Sequence, residues 1–199
     1  MPPSGRPAKQ RGVLPLDTDS LTSPARILID TTIVVDAFLE SQDRHLQARA
    51  LPSRLADHES TVVFSRLLEL ELAQAVSNIA AAESGRSRNA AQADGRIRRR
   101  ALTLTERTFA RWTAYLESVA WVRGELPSII DSVPSVMRTT GLRSNDAAMT
   151  ATAIAFRCDA IASTDRHFGR VHQQDIPMIF TPRDRVADVR RFRAAARRI

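Results

Sequence analysis

The feature that most constrains this chain is a recurring unit: a short, largely apolar run that gives way to a helical pattern, with an acid just beyond the run in two cases. Arg26-Ile27-Leu28-Ile29 is followed at once by Asp30 and by helical spacing from Thr31 to Leu39. Thr61-Val62-Val63-Phe64 leads through Ser65, a predicted N-cap, into a helix carrying Leu72, Val76 and Ile79. Asp159-Ala160-Ile161-Ala162-Ser163 precedes Asp165, and Pro177-Met178-Ile179-Phe180 reads as a weaker fourth strand. Runs this short and this apolar suit strands buried on both faces. Strands separated by helices pair in parallel through crossovers. The expected fold is α/β: a helix-rich, three-layer α/β/α sandwich around a central parallel sheet.

The remaining segments fit that frame. A helix is expected over about His45 to Asp57, with Pro52 as a kink or boundary. A long helical stretch is expected from near Arg96 toward Trp121, and a shorter one that Gly141 ends. Ser144 opens a helix running through Ala155. Residues 1–25 hold five of the ten prolines and no period, so they read as a disordered tail. The domain is expected over 26–182, with an Arg-rich helical insertion at about 83–121. Residues 183–199 read as a basic C-terminal helix or tail.

Composition removes several chemistries. The chain has 199 residues, one cysteine and no apolar run near the ~20 residues of a membrane span. No basic-then-apolar leader opens it. A disulfide framework and a four-cysteine zinc site are both excluded, and a cytoplasmic, membrane-free setting is expected. Of 29 basic residues only Lys9 is a lysine, and it lies in the proline-rich tail. Walker-type phosphate binding and Schiff-base catalysis therefore lack their ammonium. The other basic residues are arginines, which grip phosphate in a bidentate fork. A net charge of +7 fits a nucleic-acid partner. Arg- and Ala-heavy composition also arises from GC-rich coding, and composition alone does not choose between the two.

In open parallel sheets the functional crevice lies beyond the carboxyl ends of the strands. Asp30 and Asp165 are expected on that rim, with Glu71 and Asp146 leaning over it from helices. Four carboxylates at one point raise one another's pKa, and a divalent cation makes the cluster tolerable. Oxygen ligands select Mg²⁺, with Mn²⁺ as the alternative. Each acid also has a plainer reading. Asp30 and Asp165 could be turn formers or caps, Asp146 could complement its helix dipole, and Glu71 could be solvated. Leu67, Leu68 and Ala75 share a helical face with Glu71, which favours burial, whereas Glu69 points elsewhere toward Arg66.

The ordered pattern resembles the PIN-domain ribonucleases, and within them the VapC-type toxins of toxin–antitoxin pairs. It is carried by Ile-Leu-Ile-Asp-Thr-Thr, by Glu71-Leu72 six residues after Ser65, by Ser-Asn-Asp-Ala-Ala-Met-Thr-Ala-Thr-Ala, and by Ser-Thr-Asp-Arg-His-Phe. It covers about residues 26–181. The resemblance implies metal ligation and catalysis by Asp30, Glu71, Asp146 and Asp165, with supporting hydroxyls from Thr31 or Thr32 and from Ser163. It implies Mg²⁺-dependent endoribonuclease activity leaving a 5′-phosphate and a 3′-hydroxyl. RNA and a cognate antitoxin are the implied partners, and a homodimer is expected. The proline-rich start, the Arg-rich insertion and the basic end depart from the compact family pattern.

Other residues have plainer readings beside functional ones. Arg86, Arg88, Arg96, Arg98, Arg99 and Arg100, with Asp94 between, are either a solvated face or an RNA-contacting arm, and the arm is favoured. The seven arginines between 183 and 198 could touch RNA, pair with an acidic antitoxin segment or do nothing specific. His167 is expected to pack near the site rather than act as a base, and Asp36 to be a helix-face residue. Trp112, Tyr115 and Trp121 are expected in the core. A HAD-like phosphatase would need an acid where Thr32 stands and a catalytic lysine. A housekeeping RNA-processing nuclease and a nuclease-fold binding module remain as alternatives to a toxin.

Overall fold

The computed structural model describes residues 11–18, 23–85 and 94–196. Six strands form one sheet: β1 (Gly12–Pro15), β2 (Arg26–Ile29), β3 (Thr61–Ser65), β4 (Ala120–Gly124), β5 (Ala160–Ala162) and β6 (Met178–Thr181). Their order is β1-β6-β5-β2-β3-β4, and every pairing is parallel. Seven α-helices lie among the described residues: α1 (Thr31–Phe38), α2 (His45–Asp57), α3 (Arg66–Glu83), α4 (Gly95–Leu116), α5 (Val133–Thr140), α6 (Ser144–Ala155) and α7 (Val186–Ala196). This is the expected three-layer α/β/α sandwich.

Period-two alternation along the strands produces two cores. Ile27, Ile29, Val62, Phe64, Ala160, Ala162, Met178 and Phe180 face one side, against Leu51, Leu55, Leu68, Leu72 and Trp112. Leu28, Val63, Ile161 and Ile179 face the other, against Val136, Met149, Phe168 and Val189. Both sides of the central strands are dry, which is why those strands read as continuous apolar runs. Ser65 caps α3 by accepting from the Leu67 amide at 3.2 Å, as its position predicts. Gly141 ends α5 at φ 65°, a left-handed turn that glycine adopts without penalty. Pro52 lies buried within α2 rather than ending it.

Three expectations need correction. Residues 12–15, placed in a disordered tail, form β1 against β6, and Val13 and Leu16 are buried. The ordered domain thus begins before Arg26. Pro15 lacks an N–H, a defect that only an edge strand tolerates. Arginines of α7 hold β1 in place: Arg190 donates to the Val13 carbonyl at 3.1 Å and Arg193 to that of Gly12 at 3.3 Å. The second correction concerns Trp121. The helix expected to run toward it stops at Leu116, and Trp121 lies on β4, 48% exposed. This edge strand is largely exposed and has no apolar alternation, so only its pairing with β3 reveals it. Third, residues 183–199 are no mere appendage to a domain ending at 182. Val189 is fully buried, and α7 packs on β1 and on the 3₁₀ helix Arg166–Arg170.

The strand order reverses between β2 and β5. From β2 the chain moves outward through β3 and β4, then returns to the other side of β2 for β5 and β6. That reversal marks the crevice of a parallel sheet.

Candidate metal centre

Asp30 leaves β2 at this reversal, and its amide donates to the Ala162 carbonyl of β5 at 3.0 Å. It occupies the N-cap position of α1, yet its carboxylate makes no capping hydrogen bond. The plain cap reading therefore fails for Asp30. Its side chain instead takes two hydroxyl donors on the same oxygen: Ser163 at 2.5 Å and Thr32 at 2.8 Å, both to Oδ2. Thr32 in turn accepts from the Thr164 amide, and Ser163 from the Asp165 amide. The ends of β2 and β5 are thus laced together through one buried carboxylate.

Glu71 reaches the same rim from α3. Thr31 donates to its Oε2 at 2.8 Å, and Asn145 of α6 donates to its Oε1 at 2.7 Å. Glu69, two residues earlier, pairs with Arg66 at 3.3 Å and with Arg123 of β4 at 3.2 Å. The two glutamates therefore part as the helical geometry requires. Asp146, in the first turn of α6, makes no hydrogen bond or ion pair among the described residues. Asp165 caps the 3₁₀ helix, its Oδ1 accepting from the His167 amide at 2.8 Å and lying 2.9 Å from His167 Nδ1. For Asp165 the cap reading holds, with one oxygen left over.

Electrostatics joins the four. Burial pushes Asp30 up to about 6, against the pull of its two hydroxyl donors, and the charges of Glu71 and Asp146 push the same way. Burial also raises Asp146 to about 6, followed by Asp165 and Glu71, with Arg143 opposing. Carboxylates this close carry unrelieved repulsion. The donor set suits a hard divalent cation: Asp30 Oδ1, both oxygens of Asp146 and Asp165 Oδ2 have no protein donor among the described residues. Among the described residues, no group of three or more Asp, Glu, His or Cys side chains stands close enough together to hold a metal ion as placed.

The expected supporting hydroxyls, Thr31, Thr32 and Ser163, each touch one of these carboxylates. Asn145 was missed, and its only signal in the sequence is its place beside Asp146 in a helical first turn. His167 packs near the site, as expected. Asp36 is half-buried on α1, where burial lifts it to about 6 with Arg44 opposing, and no described residue donates to its Oδ2. Arg96, Arg98 and Arg99 are exposed on α4, whereas Arg100 pairs with Glu83 at 2.5 Å. Glu83 lies about 18 Å along α3 from Glu71, so this pair is remote from the carboxylates. Arg86 and Arg88 fall outside the described residues. Trp112 is core, stacked edge-on against Phe64 and Phe38. A groove of about 630 Å³ between α1, α2 and α4, lined by Phe38, His45, Arg49 and Tyr115, contains none of the four acids.

The PIN domain model matches residues 27–173, and the chain belongs to that family, whose members are typically nucleases that use divalent metal ions. No curated protein matches the chain. A solved structure titled "Crystal Structure of FitAcB from Neisseria gonorrhoeae" is similar at 20% identity and a TM-score of 0.47, covering 78% of this chain and 97% of that one. No helix of the described residues is long and apolar enough to cross a membrane.

Proposed function

We propose that this protein is a Mg²⁺-dependent endoribonuclease, with Asp30, Glu71, Asp146 and Asp165 as its metal-binding and catalytic acids. One observation carries the reading. Asp30 Oδ1, both oxygens of Asp146 and Asp165 Oδ2 lack a donor among the described residues, and burial together with the charges of neighbouring acids resists ionisation of Asp30 and Asp146. A bound divalent cation would relieve that repulsion and supply acidified water and charge stabilisation at a scissile phosphate. The chain's own residues do the positioning. Ser163 and Thr32 fix Asp30 through Oδ2 and leave Oδ1 without a donor among the described residues. Thr31 and Asn145 hold Glu71 from two helices, setting its distance from Asp146. No side-chain nucleophile is required, in a chain whose sole cysteine is buried with its thiol pushed up to about 12 by burial.

Single-stranded RNA incubated with purified protein should be cleaved with Mg²⁺ and left intact with EDTA. Products should carry 5′-phosphate and 3′-hydroxyl ends. Cleavage unaffected by EDTA, or none in Mg²⁺ or Mn²⁺, would reject the reading.

The finer assignment, a toxin held by a cognate antitoxin, is supported by the ordered motifs of the sequence. Expression of the chain alone should arrest growth, the Asp146→Asn form should not, and co-expression of the neighbouring small gene should rescue. Normal growth with abundant, cleavage-competent protein would leave a housekeeping RNA-processing nuclease.

A further inference from the structure

Beside the fourth acid lies an aromatic platform that the carboxylates do not explain. Phe192 of α7 packs over the 3₁₀ helix that Asp165 opens. Arg166 and Arg170 both stand over its ring, at 5.5 and 5.3 Å from the centroid. His167 meets the same ring edge-on at 5.4 Å, and its Nδ1 is the group 2.9 Å from Asp165. Platform and carboxylate are therefore joined through one imidazole. The packing is tight enough to fix the ring: a Cβ on Gly169 would lie 2.5 Å from the Val189 carbonyl and 2.8 Å from Phe192 Cβ, so only glycine lets α7 come this close.

Two guanidiniums on one ring repel each other, and no acid among the described residues forms an ion pair with either. Arg170 donates to the Gly141 carbonyl at 2.9 Å, a structural duty. Arg166 is exposed, and its guanidinium stands over the Phe192 ring with no hydrogen bond or ion pair among the described residues. Stacking restrains a side chain that otherwise sweeps through many rotamers, while leaving its hydrogen-bonding fork toward solvent. A restrained guanidinium with an unused fork, next to a site for phosphodiester chemistry, is built to take an anion with paired oxygens.

We infer that Arg166, oriented by Phe192, binds a backbone phosphate of the RNA adjacent to the scissile one. Arg166 is thus a substrate-binding residue and Phe192 a positioning residue. This inference rests on the ribonuclease reading for the identity of the anion. It accounts for the packing of α7 against the segment following Asp165: the C-terminal helix supplies the ring that holds a substrate-binding arginine at the rim.

The test is binding of a fluorescein-labelled single-stranded RNA to the full chain in EDTA, read by anisotropy across a salt series, with cleavage kinetics in Mg²⁺ alongside. Arg166→Ala should weaken binding by about three- to tenfold and lower the salt slope by about 0.7, the share of one phosphate contact on a single strand. In cleavage KM should rise with kcat unchanged. Phe192→Leu keeps the Cβ contact with Gly169 and removes no charge. It should weaken binding by about two- to threefold in the wild type and not at all in the Arg166→Ala background, since its role acts through that arginine. Arg166→Lys should recover part of the loss. Arg157→Asn removes one positive charge at the opposite end of the sheet, at φ 52°, a conformation asparagine tolerates, and should bind as wild type. Equal losses for Arg157→Asn and Arg166→Ala would reduce the effect to net charge and overturn the inference. So would wild-type binding and salt slope in Arg166→Ala. If the wild type binds RNA but never cleaves it, the ribonuclease reading fails alone; if it neither binds nor cleaves, both fail.

Discussion

The carboxyl rim of the sheet is acidic in two places, and the two are built oppositely. Beyond β1 and β6, the described acids Asp17 and Asp184 each have an arginine. Arg183 spans both oxygens of Asp17 at 2.9 and 3.0 Å, and Arg44 takes Asp184 at 2.8 Å. Burial works to raise Asp17, but hydrogen bonds from Arg183 and Gln47 outweigh it and hold it below the usual carboxylate range. Asp184 is held low by the hydrogen bond from Arg44. Beyond β2 and β5, the next strands in the sheet, Asp30, Glu71 and Asp165 have hydroxyl or amide donors, none of the four acids has an ion pair with arginine among the described residues, and Asp30 and Asp146 are pushed up to about 6. A chain this rich in arginine pairs its acids readily, as the outer rim demonstrates. Leaving the central ones without a guanidinium carries a stability cost, and the proposed metal site rests on that contrast.

Four measurements press on that contrast, and the largest effect is expected in catalysis. Asp30→Asn and Asp146→Asn each remove a charged ligand at nearly constant volume, so RNA cleavage in Mg²⁺ should fall by about 10³-fold or more with the fold intact by circular dichroism. Asp184→Asn should leave kcat/KM unchanged. Full activity in Asp30→Asn would erase the distinction between the two rims.

Stability should move the other way. At pH 7.5 without metal, Asp30→Asn should be more stable than wild type by about 1–3 kcal/mol in urea unfolding, because the buried charge and its repulsion are gone. Removing an acid from the exposed outer pairs should cost at most about 1 kcal/mol.

The two rims also differ in the sign of their pH dependence. Asp30 and Asp146 are raised in the folded state, so between about pH 4 and 6 the folded chain holds protons that the unfolded chain has released. Their contribution favours folding at the acidic end and is lost as pH rises through about 6. The Tm of EDTA-treated wild type should therefore fall more from pH 5 to pH 7.5 than that of Asp30→Asn. The outer pairs, held low, act in the opposite direction and only at more acidic pH.

The smallest effect is ligand-linked. Added Mg²⁺ should raise the Tm of wild type at pH 7.5 by a few degrees, since it binds the folded state alone. Asp146→Asn should lose most of that gain, and Asp184→Asn should keep it. Equal gains in all three would mean that the cation sits elsewhere.

Much of this architecture was legible in the sequence, and for identifiable reasons. Buried central strands announce themselves as apolar runs, so β2, β3, β5 and β6 were read near their observed bounds. Ser65 and Gly141 marked helix ends through local backbone chemistry. Glu71 was separable from Glu69 because a helix sends residues two apart to different sides. Asp30 and Asp165 follow strands β2 and β5, and parallel pairing sets those strand ends side by side.

What the sequence could not determine depended on partners far along the chain. β1 and β4 are edge strands of weak intrinsic pattern, and they exist because β6 and β3 offer open ladders, with Arg190 and Arg193 closing over β1 from more than 170 residues away. Asn145 is an ordinary polar helix residue until α3 brings Glu71 against it. Arg166 is one arginine among many until Phe192 fixes it. Local sequence determined which segments are strands and helices, because hydrophobic period and capping act over a few residues. Only the tertiary structure decided which acids receive an arginine and which do not, because charge pairing depends on distance in space, which the fold alone sets.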